Sequence, residues 1–259
     1  PMMSVVSSAP KLTEGGFKYY FRNTPKEAML VDVAARYLIT KLRIKKVSFL
    51  GPNDEWGRAG LEGWTEMIKK HGGQVVTADL FMTGETNYQP YLTKIKSINP
   101  DAMAVQAETL DGSMIFKQAK EMGLGITKIG SGPMASQKFM ELAKEASEGI
   151  YAILPWVHTY DTPENKAFTE AYAKRFPDRG IPDKYSAAGY DGIYVFADAI
   201  TKAGKADRES IRKGMTMVES KRLQGNIKFD AKGQSHPLAF ITQNKGGVPG
   251  VVGYLETKE

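Results

Sequence analysis

The chain has 259 residues, of which 42% are hydrophobic and 25% are charged, a composition typical of a globular protein with a sizeable core. It contains no cysteine, which excludes disulfides, thiol nucleophiles and cysteine-ligated metals. The formal net charge is +6, but lysine and arginine are interleaved with acidic residues along the chain. The charge therefore predicts solubility rather than a nucleic-acid-binding surface.

The chain begins with an apolar stretch over residues 2–6 that is typical of a β-strand. The residues at its start lack the basic segment and the long apolar segment of a signal peptide. A chain that enters a strand at once is expected to have begun further upstream in the complete protein. No apolar run reaches the length of a membrane-spanning helix, so we predict no membrane span.

Residues 28–154 alternate between helix-like and strand-like patterns. Apolar residues at helical spacing predict helices over residues 28–41, 57–71, 87–98, 111–122 and 136–145. Short apolar runs predict strands over residues 46–50, 74–81, 101–106, 128–131 and 149–154. Strands separated by helices in this way predict a doubly wound parallel sheet with right-handed crossovers.

The pattern changes after residue 155. Helices are predicted over residues 162–176, 184–203 and 207–218, followed by strands over 225–229, 238–243 and 248–255, with a hairpin turn at 230–233. These helices have too few local strands to cover, so the strand-like residues 2–6 and 19–22 are expected to join them. We therefore predict a partial first lobe of residues 1–22 and 158–250 and a second α/β lobe of residues 23–157. The tail, 251–259, is a candidate to return to the second lobe.

Signatures of catalysis and of cofactor binding are absent from the sequence. It contains no Gly-x-Gly-x-x-Gly fingerprint, no Walker A loop and no Gly-x-Ser-x-Gly elbow. The histidines, His71, His158 and His236, lie far apart and lack metal-ligand spacing. We therefore predict a protein that is not an enzyme and that uses neither a cofactor nor a metal.

Candidate binding residues follow the predicted strands. Ligands of doubly wound sheets bind at the carboxyl ends of the strands, where Trp56, Glu108, Gly132 and Trp156 are expected. Trp56 and Trp156 are candidate stacking walls, and Glu108 is a candidate partner for a cation. The structural alternatives are that the tryptophans pack in the core and that Glu108 caps the helix beginning near Asp111.

Several segments match, in order and spacing, the pattern of one known family. They are Ser7-Ser8-Ala9-Pro10-Lys11-Leu12-Thr13, Tyr20-Phe21-Arg22, Asp54-Glu55-Trp56-Gly57-Arg58-Ala59 and Ala188-Gly189-Tyr190-Asp191. With them, the chain resembles the branched-chain amino-acid (leucine/isoleucine/valine-binding) family of ABC-transporter substrate-binding proteins. The resemblance implies a type I periplasmic-binding-protein fold with two doubly wound parallel-sheet lobes, of which the first is incomplete here.

The same resemblance implies a signal peptide and roughly the first third of the protein upstream of Pro1. It implies a receptor that closes its two lobes on a ligand, with hinges at residues 22–25 and 155–159, and then docks on a membrane permease. The expected location is periplasmic or extracellular, either free or lipid-anchored.

Site residues are carried over by position. Val6, through its backbone, and Ser8 match positions that hold the ligand's α-carboxylate, and Trp56 matches an aromatic residue that closes over the ligand. Glu108 stands where the family often has an aromatic residue. Gly132 stands near the place of an acidic residue that binds the ligand's ammonium group. Either Glu108 replaces that carboxylate, which we favour, or the ligand carries no amino group.

The leading hypothesis is an extracytoplasmic receptor that delivers an amino acid or a similar small carboxylate to an ABC importer. A ligand-sensing regulatory protein of the same fold, and a binder of aromatic or organic acids, are the alternatives. Neither a nucleic acid nor a cofactor is expected as a partner.

Overall fold

The computed structural model describes residues 1–257. Its strands are β1 (Met2–Ser4), β2 (Tyr20–Arg22), β3 (Lys46–Pro52), β4 (Gln74–Phe81), β5 (Ala102–Val105), β6 (Thr127–Gly130), β7 (Tyr151–Leu154), β8 (Glu219–Arg222), β9 (Gly225–Lys228), β10 (Leu238–Lys245) and β11 (Val248–Glu256). Its α-helices are α1 (Lys11–Glu14), α2 (Glu27–Thr40), α3 (Glu55–Lys70), α4 (Gln89–Ile98), α5 (Thr109–Glu121), α6 (Gln137–Ala143), α7 (Pro163–Arg175), α8 (Lys184–Ala203) and α9 (Arg208–Met215). The chain divides into two compact units.

Unit 2 comprises Leu30–Leu154 and Phe240–Tyr254. Its seven-stranded sheet has the order β11-β10-β7-β6-β5-β3-β4. The strands from β3 to β7 run parallel to one another, as the alternating sequence pattern predicts. Strand β5 is buried at every residue, which explains its unbroken apolar run.

The last strands of unit 2 come from the far end of the chain. Residues Phe240 to Gln243 of β10 pair antiparallel with Leu154 to Tyr151 of β7. The predicted first lobe of residues 158–250 and the predicted lobe boundaries therefore differ from the structure, which groups Phe240–Tyr254 with unit 2. Residues 255–257 group with unit 1, and the predicted return of residues 258–259 lies outside the described residues.

Unit 1 comprises Pro1–Met29, Pro155–Ala239 and residues 255–257. Its strands β1 and β2 pair in parallel, and β8 and β9 form an antiparallel hairpin. The predicted turn at residues 230–233 forms, but it does not join two paired strands, because β9 and β10 lie in different sheets. One apolar core of this unit contains Phe21, Val195, Met215 and Phe229.

A buried aspartate on α8 hydrogen-bonds to the turn between β8 and β9, in the same unit. Asp191 is fully buried and accepts hydrogen bonds from the backbone N–H groups of Leu223 (3.2 Å) and Gln224 (3.0 Å). Burial raises the pKa of Asp191 to about 6, against the opposing effect of these two donors. The side chain therefore links two segments that lie about thirty residues apart at the cost of a buried carboxylate.

Among residues 1–257, no helix is both long enough and apolar enough to cross a membrane. The same residues contain no cluster of histidine, aspartate and glutamate side chains that is suited to hold a metal ion.

Candidate functional site

The carboxyl edge of the unit 2 sheet has a topological switch point. From β3, the chain first continues to β4 on one side and later to β5 on the other side. In open α/β sheets, the crevice outside such a point is the usual ligand site. Trp56, in the first turn of α3, follows β3, and Glu108, immediately before α5, follows β5. The structure thus brings these two predicted residues to the two strands that flank the switch point.

The start of α3 is held tightly, and with it the backbone of Trp56. Asp54 caps the helix by accepting a hydrogen bond from the N–H of Gly57 (2.8 Å). The buried Gln106 donates from Nε2 to the carbonyl of Trp56 (2.7 Å). Gly60 makes room for this amide, since a Cβ there would lie 2.0 Å from Oε1 of Gln106. Trp56 itself is half-buried.

Glu108 occupies the N-cap position of α5, but its side chain accepts no hydrogen bond from the helix. The side chain is exposed. The structure therefore does not support the alternative that the Glu108 carboxylate caps α5.

Gly132 begins a short 3-10 turn, Gly132–Ala135, after β6 and is buried. Met134, in the same turn, fills the space beside Gly130 and Gly112, where a Cβ would lie within 2.4 Å of the Met134 side chain. Position 132 itself is a glycine and supplies no carboxylate.

Trp156 packs inside a core of unit 1, which differs from the prediction that it is a stacking wall for a ligand. Its ring is 1% exposed and packs edge-to-face on Phe168, with Ala187 and Leu223 in the same core cluster of unit 1. Its indole N–H donates to Oδ1 of Asn165 (2.6 Å). A side chain buried on this scale cannot stack on a ligand, so the structural alternative holds for this tryptophan.

In unit 1, the predicted residues Val6 and Ser8 lie in the loop between β1 and α1. Val6 is 49% exposed. Among the described residues, no acceptor receives a hydrogen bond from the backbone N–H of Val6 or of Ser8. The loop therefore presents two free donors of the kind that bind a carboxylate.

Glu27, which sequence reasoning missed, lies beside this loop at the start of α2. The Ser8 hydroxyl donates to Oε2 of Glu27 (3.0 Å), and the N–H of Glu27 donates to the carbonyl of Ser8 (3.2 Å). Glu27 is only 9% exposed. The available signal was an acidic residue at a predicted helix start, which is common in proteins and was therefore not distinctive.

Comparisons with known proteins agree with one another. The family model for periplasmic binding proteins matches residues 1–247. A leucine-, isoleucine-, valine-, threonine- and alanine-binding protein of Pseudomonas aeruginosa is 25% identical over 92% of this chain. The match covers 63% of that relative, so the chain spans less than two thirds of its length.

Solved structures show the same fold. A leucine-binding protein from Thermotoga maritima superimposes with a TM-score of 0.90 at 23% identity, over 98% of this chain and 73% of that one. A solute-binding protein of an ABC transporter from R. palustris, in complex with benzoate, gives 0.88 at 20% identity, over 99% and 71%.

All of these relatives are named as binding proteins, and the R. palustris protein is named as part of an ABC transporter. The fold, with its switch-point edge in unit 2, is the type I periplasmic-binding-protein fold expected from the sequence motifs. The chain belongs to the periplasmic binding protein family.

Proposed function

We propose that this chain is the ligand-binding part of an extracytoplasmic receptor that takes up an α-amino acid and delivers it to the permease of an ABC importer. The observation that carries the proposal is the pair formed by Ser8 and Glu27 beside the free N–H groups of the same loop. The relatives' names, which include several branched-chain amino acids, support this ligand class.

The hydrogen-bond chemistry of Ser8 favours a ligand with a cationic donor. A hydroxyl has one proton and two lone pairs, and the proton of Ser8 is donated to Glu27. A ligand at this hydroxyl must therefore donate to it. The neighbouring carboxylate of Glu27 favours an ammonium group as that donor and repels a second carboxylate.

The free N–H groups of Val6 and Ser8 favour an anion in the same loop. An α-amino acid carries a carboxylate and an ammonium group on one carbon, so it satisfies both sets of groups over a few ångströms. Position 132 is a glycine and cannot bind the ligand's ammonium group through a carboxylate. Glu27 is our proposed partner for that group instead. Glu108 stays a second candidate for that role.

An aromatic carboxylate is the second candidate ligand, favoured by the structural neighbour that holds benzoate. Such a ligand would bind the N–H groups of the loop through its carboxylate. We place it second because its carboxylate would lie near the carboxylate of Glu27, and like charges repel each other.

Isothermal titration calorimetry with L-leucine and with benzoate separates the two ligands. We expect leucine to bind more tightly, and Glu27→Gln to raise its Kd by roughly ten- to a hundredfold because a charge-assisted contact is lost. Glu108→Gln tests the second ammonium candidate in the same way, and Glu62→Gln, an exposed change on α3, serves as the control.

Tighter binding of benzoate than of any amino acid would refute the proposal and assign the chain to the organic-acid class. A loss of leucine affinity in Glu108→Gln but not in Glu27→Gln would move the ammonium site to unit 2. We also expect every ligand to be recovered chemically unchanged after incubation, in line with a binding protein rather than an enzyme.

A further inference from the structure

A buried arginine lies beneath the loop that carries Val6 and Ser8. Arg22, the last residue of β2, has no exposed surface. Its guanidinium donates to neutral acceptors only, and among the described residues no carboxylate hydrogen-bonds to it. Burial lowers the pKa of Arg22, but an arginine remains protonated in proteins. Unit 1 therefore retains a buried cation that no carboxylate hydrogen-bonds, although the charges of Glu14 and Asp230 partly offset its burial.

The contacts of Arg22 hold the loop at several points. Nη1 donates to the carbonyl of Ala9 (2.6 Å) and, at a longer distance, to that of Ser7 (3.5 Å). Nη2 donates to Oγ1 of Thr13 (2.7 Å), and Nε donates to Oε1 of Gln234 (2.6 Å). A planar fork with fixed donors can hold all of these acceptors at once, which a lysine ammonium cannot do.

The orientation of the loop follows from these contacts. With the carbonyls of Ser7 and Ala9 held on the guanidinium, the peptide dipoles on either side of Ser8 are fixed. The backbone N–H groups of Val6 and Ser8 remain without a protein acceptor. The charge of Arg22 also adds a positive field beneath the same segment, and this field favours an anion there.

We propose that Arg22 is a positioning residue for the ligand's anionic group. It touches no ligand, but it orders the loop so that the N–H groups of Val6 and Ser8 are free to bind a carboxylate. This inference rests on the proposed function, in which that carboxylate belongs to an α-amino acid.

The test combines Arg22→Lys with two ligands that differ only in the anion. L-leucine carries a carboxylate, whereas L-leucinamide does not. By calorimetry on the full chain, we expect Arg22→Lys to weaken leucine binding by roughly ten- to a hundredfold and leucinamide binding by less than about twofold, because the coupling is to the carboxylate alone. Arg36→Lys, an exposed change on α2, is the matched control.

A second measurement needs no ligand. The N–H of Ser7 donates to Oγ of Ser4 and that of Glu27 to the carbonyl of Ser8, so both amides report on the order of the loop. We expect their hydrogen exchange to be at least roughly tenfold faster in Arg22→Lys than in the wild type, with no change in β9. If Arg22→Lys fails to fold, Thr13→Val, which removes one acceptor of the guanidinium, carries both measurements with a smaller effect.

Equal weakening of leucine and leucinamide, or unchanged exchange at Ser7 and Glu27, would overturn the role of Arg22. Binding of neither ligand to the wild type would instead overturn the proposed amino-acid function. In that case the exchange result alone decides whether Arg22 orders the loop.

Discussion

The two units bury their polar and apolar groups in different ways. Unit 2 is built on one seven-stranded sheet, and the strands from β3 to β7 follow one another along the chain with helices between them. Strands β1, β2, β8 and β9 of unit 1 form two-stranded sheets, and the segments of this unit come from residues far apart in sequence. Most of the large apolar side chains that are exposed on the chain lie in unit 1, among them Phe17, Tyr190, Ile193 and Tyr194.

This contrast indicates which contacts define each unit. In unit 2, backbone pairing in the sheet and local helix packing fix the structure. In unit 1, side chains such as Arg22 and Asp191 make specific hydrogen bonds to distant backbone or side-chain groups. Unit 1 therefore depends more on single polar residues, while unit 2 depends more on close packing.

The largest expected effect on the free energy of unfolding comes from truncating one ring of an edge-to-face aromatic pair in each unit. Phe116 and Phe139 form an edge-to-face pair in unit 2, at 5.8 Å between ring centroids, and Phe21 and Phe229 form one in unit 1, at 5.2 Å. We expect Phe116→Ala to lower the free energy of unfolding by roughly 3–5 kcal/mol, because the ring is fully buried in a dense core. Phe229→Ala should cost about 1 kcal/mol less, since the smaller core of unit 1 relaxes more easily.

Urea denaturation of the two variants measures both values. A larger loss for Phe229→Ala than for Phe116→Ala would contradict the view that unit 2 depends more on packing. Similar slopes with urea in the two variants would show that the surface exposed on unfolding is unchanged, which makes the comparison valid.

The second prediction concerns pH and unit 1. The pKa of Asp191 in the folded chain, about 6, lies above its ordinary value of 3.8, so folding binds a proton between these values. The stabilisation by protonated Asp191 is complete below pH 4 and is lost as the pH rises through 6. Each pKa unit corresponds to about 1.4 kcal/mol, so the effect is at most roughly 3 kcal/mol.

Asp191→Asn cannot titrate and should flatten this dependence when urea denaturation is compared between pH 4 and pH 7. Asp178→Asn, an exposed change, is the control. Asp32 in unit 2 acts in the opposite direction: burial raises its pKa, but hydrogen bonds from Lys70 and His71 outweigh burial and lower it. Its contribution to stability is lost as the pH falls. An unchanged pH profile in Asp191→Asn would show that the carboxylate is not the group that titrates.

The smallest effects are expected at the helix caps, where the two units use the same chemistry. Asp54 caps α3 in unit 2, and Asp183 caps α8 in unit 1, each by accepting a backbone N–H at 2.8 Å. Asp54→Ala and Asp183→Ala should each cost about 1 kcal/mol. Thermal unfolding would measure both losses, and a difference of more than about twofold would show that the surroundings of the caps, rather than the caps themselves, distinguish the units.

The sequence allowed unit 2 to be predicted more fully than unit 1. Local apolar periodicity determines strands such as Lys46–Pro52 and the helices between them, so the parallel order of β3 to β7 followed from the pattern. The pairing of β10 with β7 did not, because no local signal links residues about ninety positions apart. For the same reason the predicted lobe boundary at residue 250 differed from the structure.

The positions of two candidate residues were predictable because strand ends determine them. Trp56 and Glu108 follow β3 and β5 as expected, since the carboxyl edge of a parallel sheet is determined by topology. Trp156 was assigned to the same edge, but its ring turns into a core that only the tertiary packing with Phe168 defines. Glu27 was missed because its relation to Ser8 spans nineteen residues and a change of direction.

The antiparallel strand β10 has a consequence for how the protein is made. On the ribosome, β7 is complete at Leu154, but its partner residues, Phe240 to Gln243, are synthesised about ninety residues later. At roughly 5–20 residues per second, β7 stays unpaired on this side for about 5–20 s, until β10 has been synthesised. During translation this open edge is available to chaperones and to other nascent chains, so the order of synthesis, and not only the final structure, determines how safely unit 2 folds.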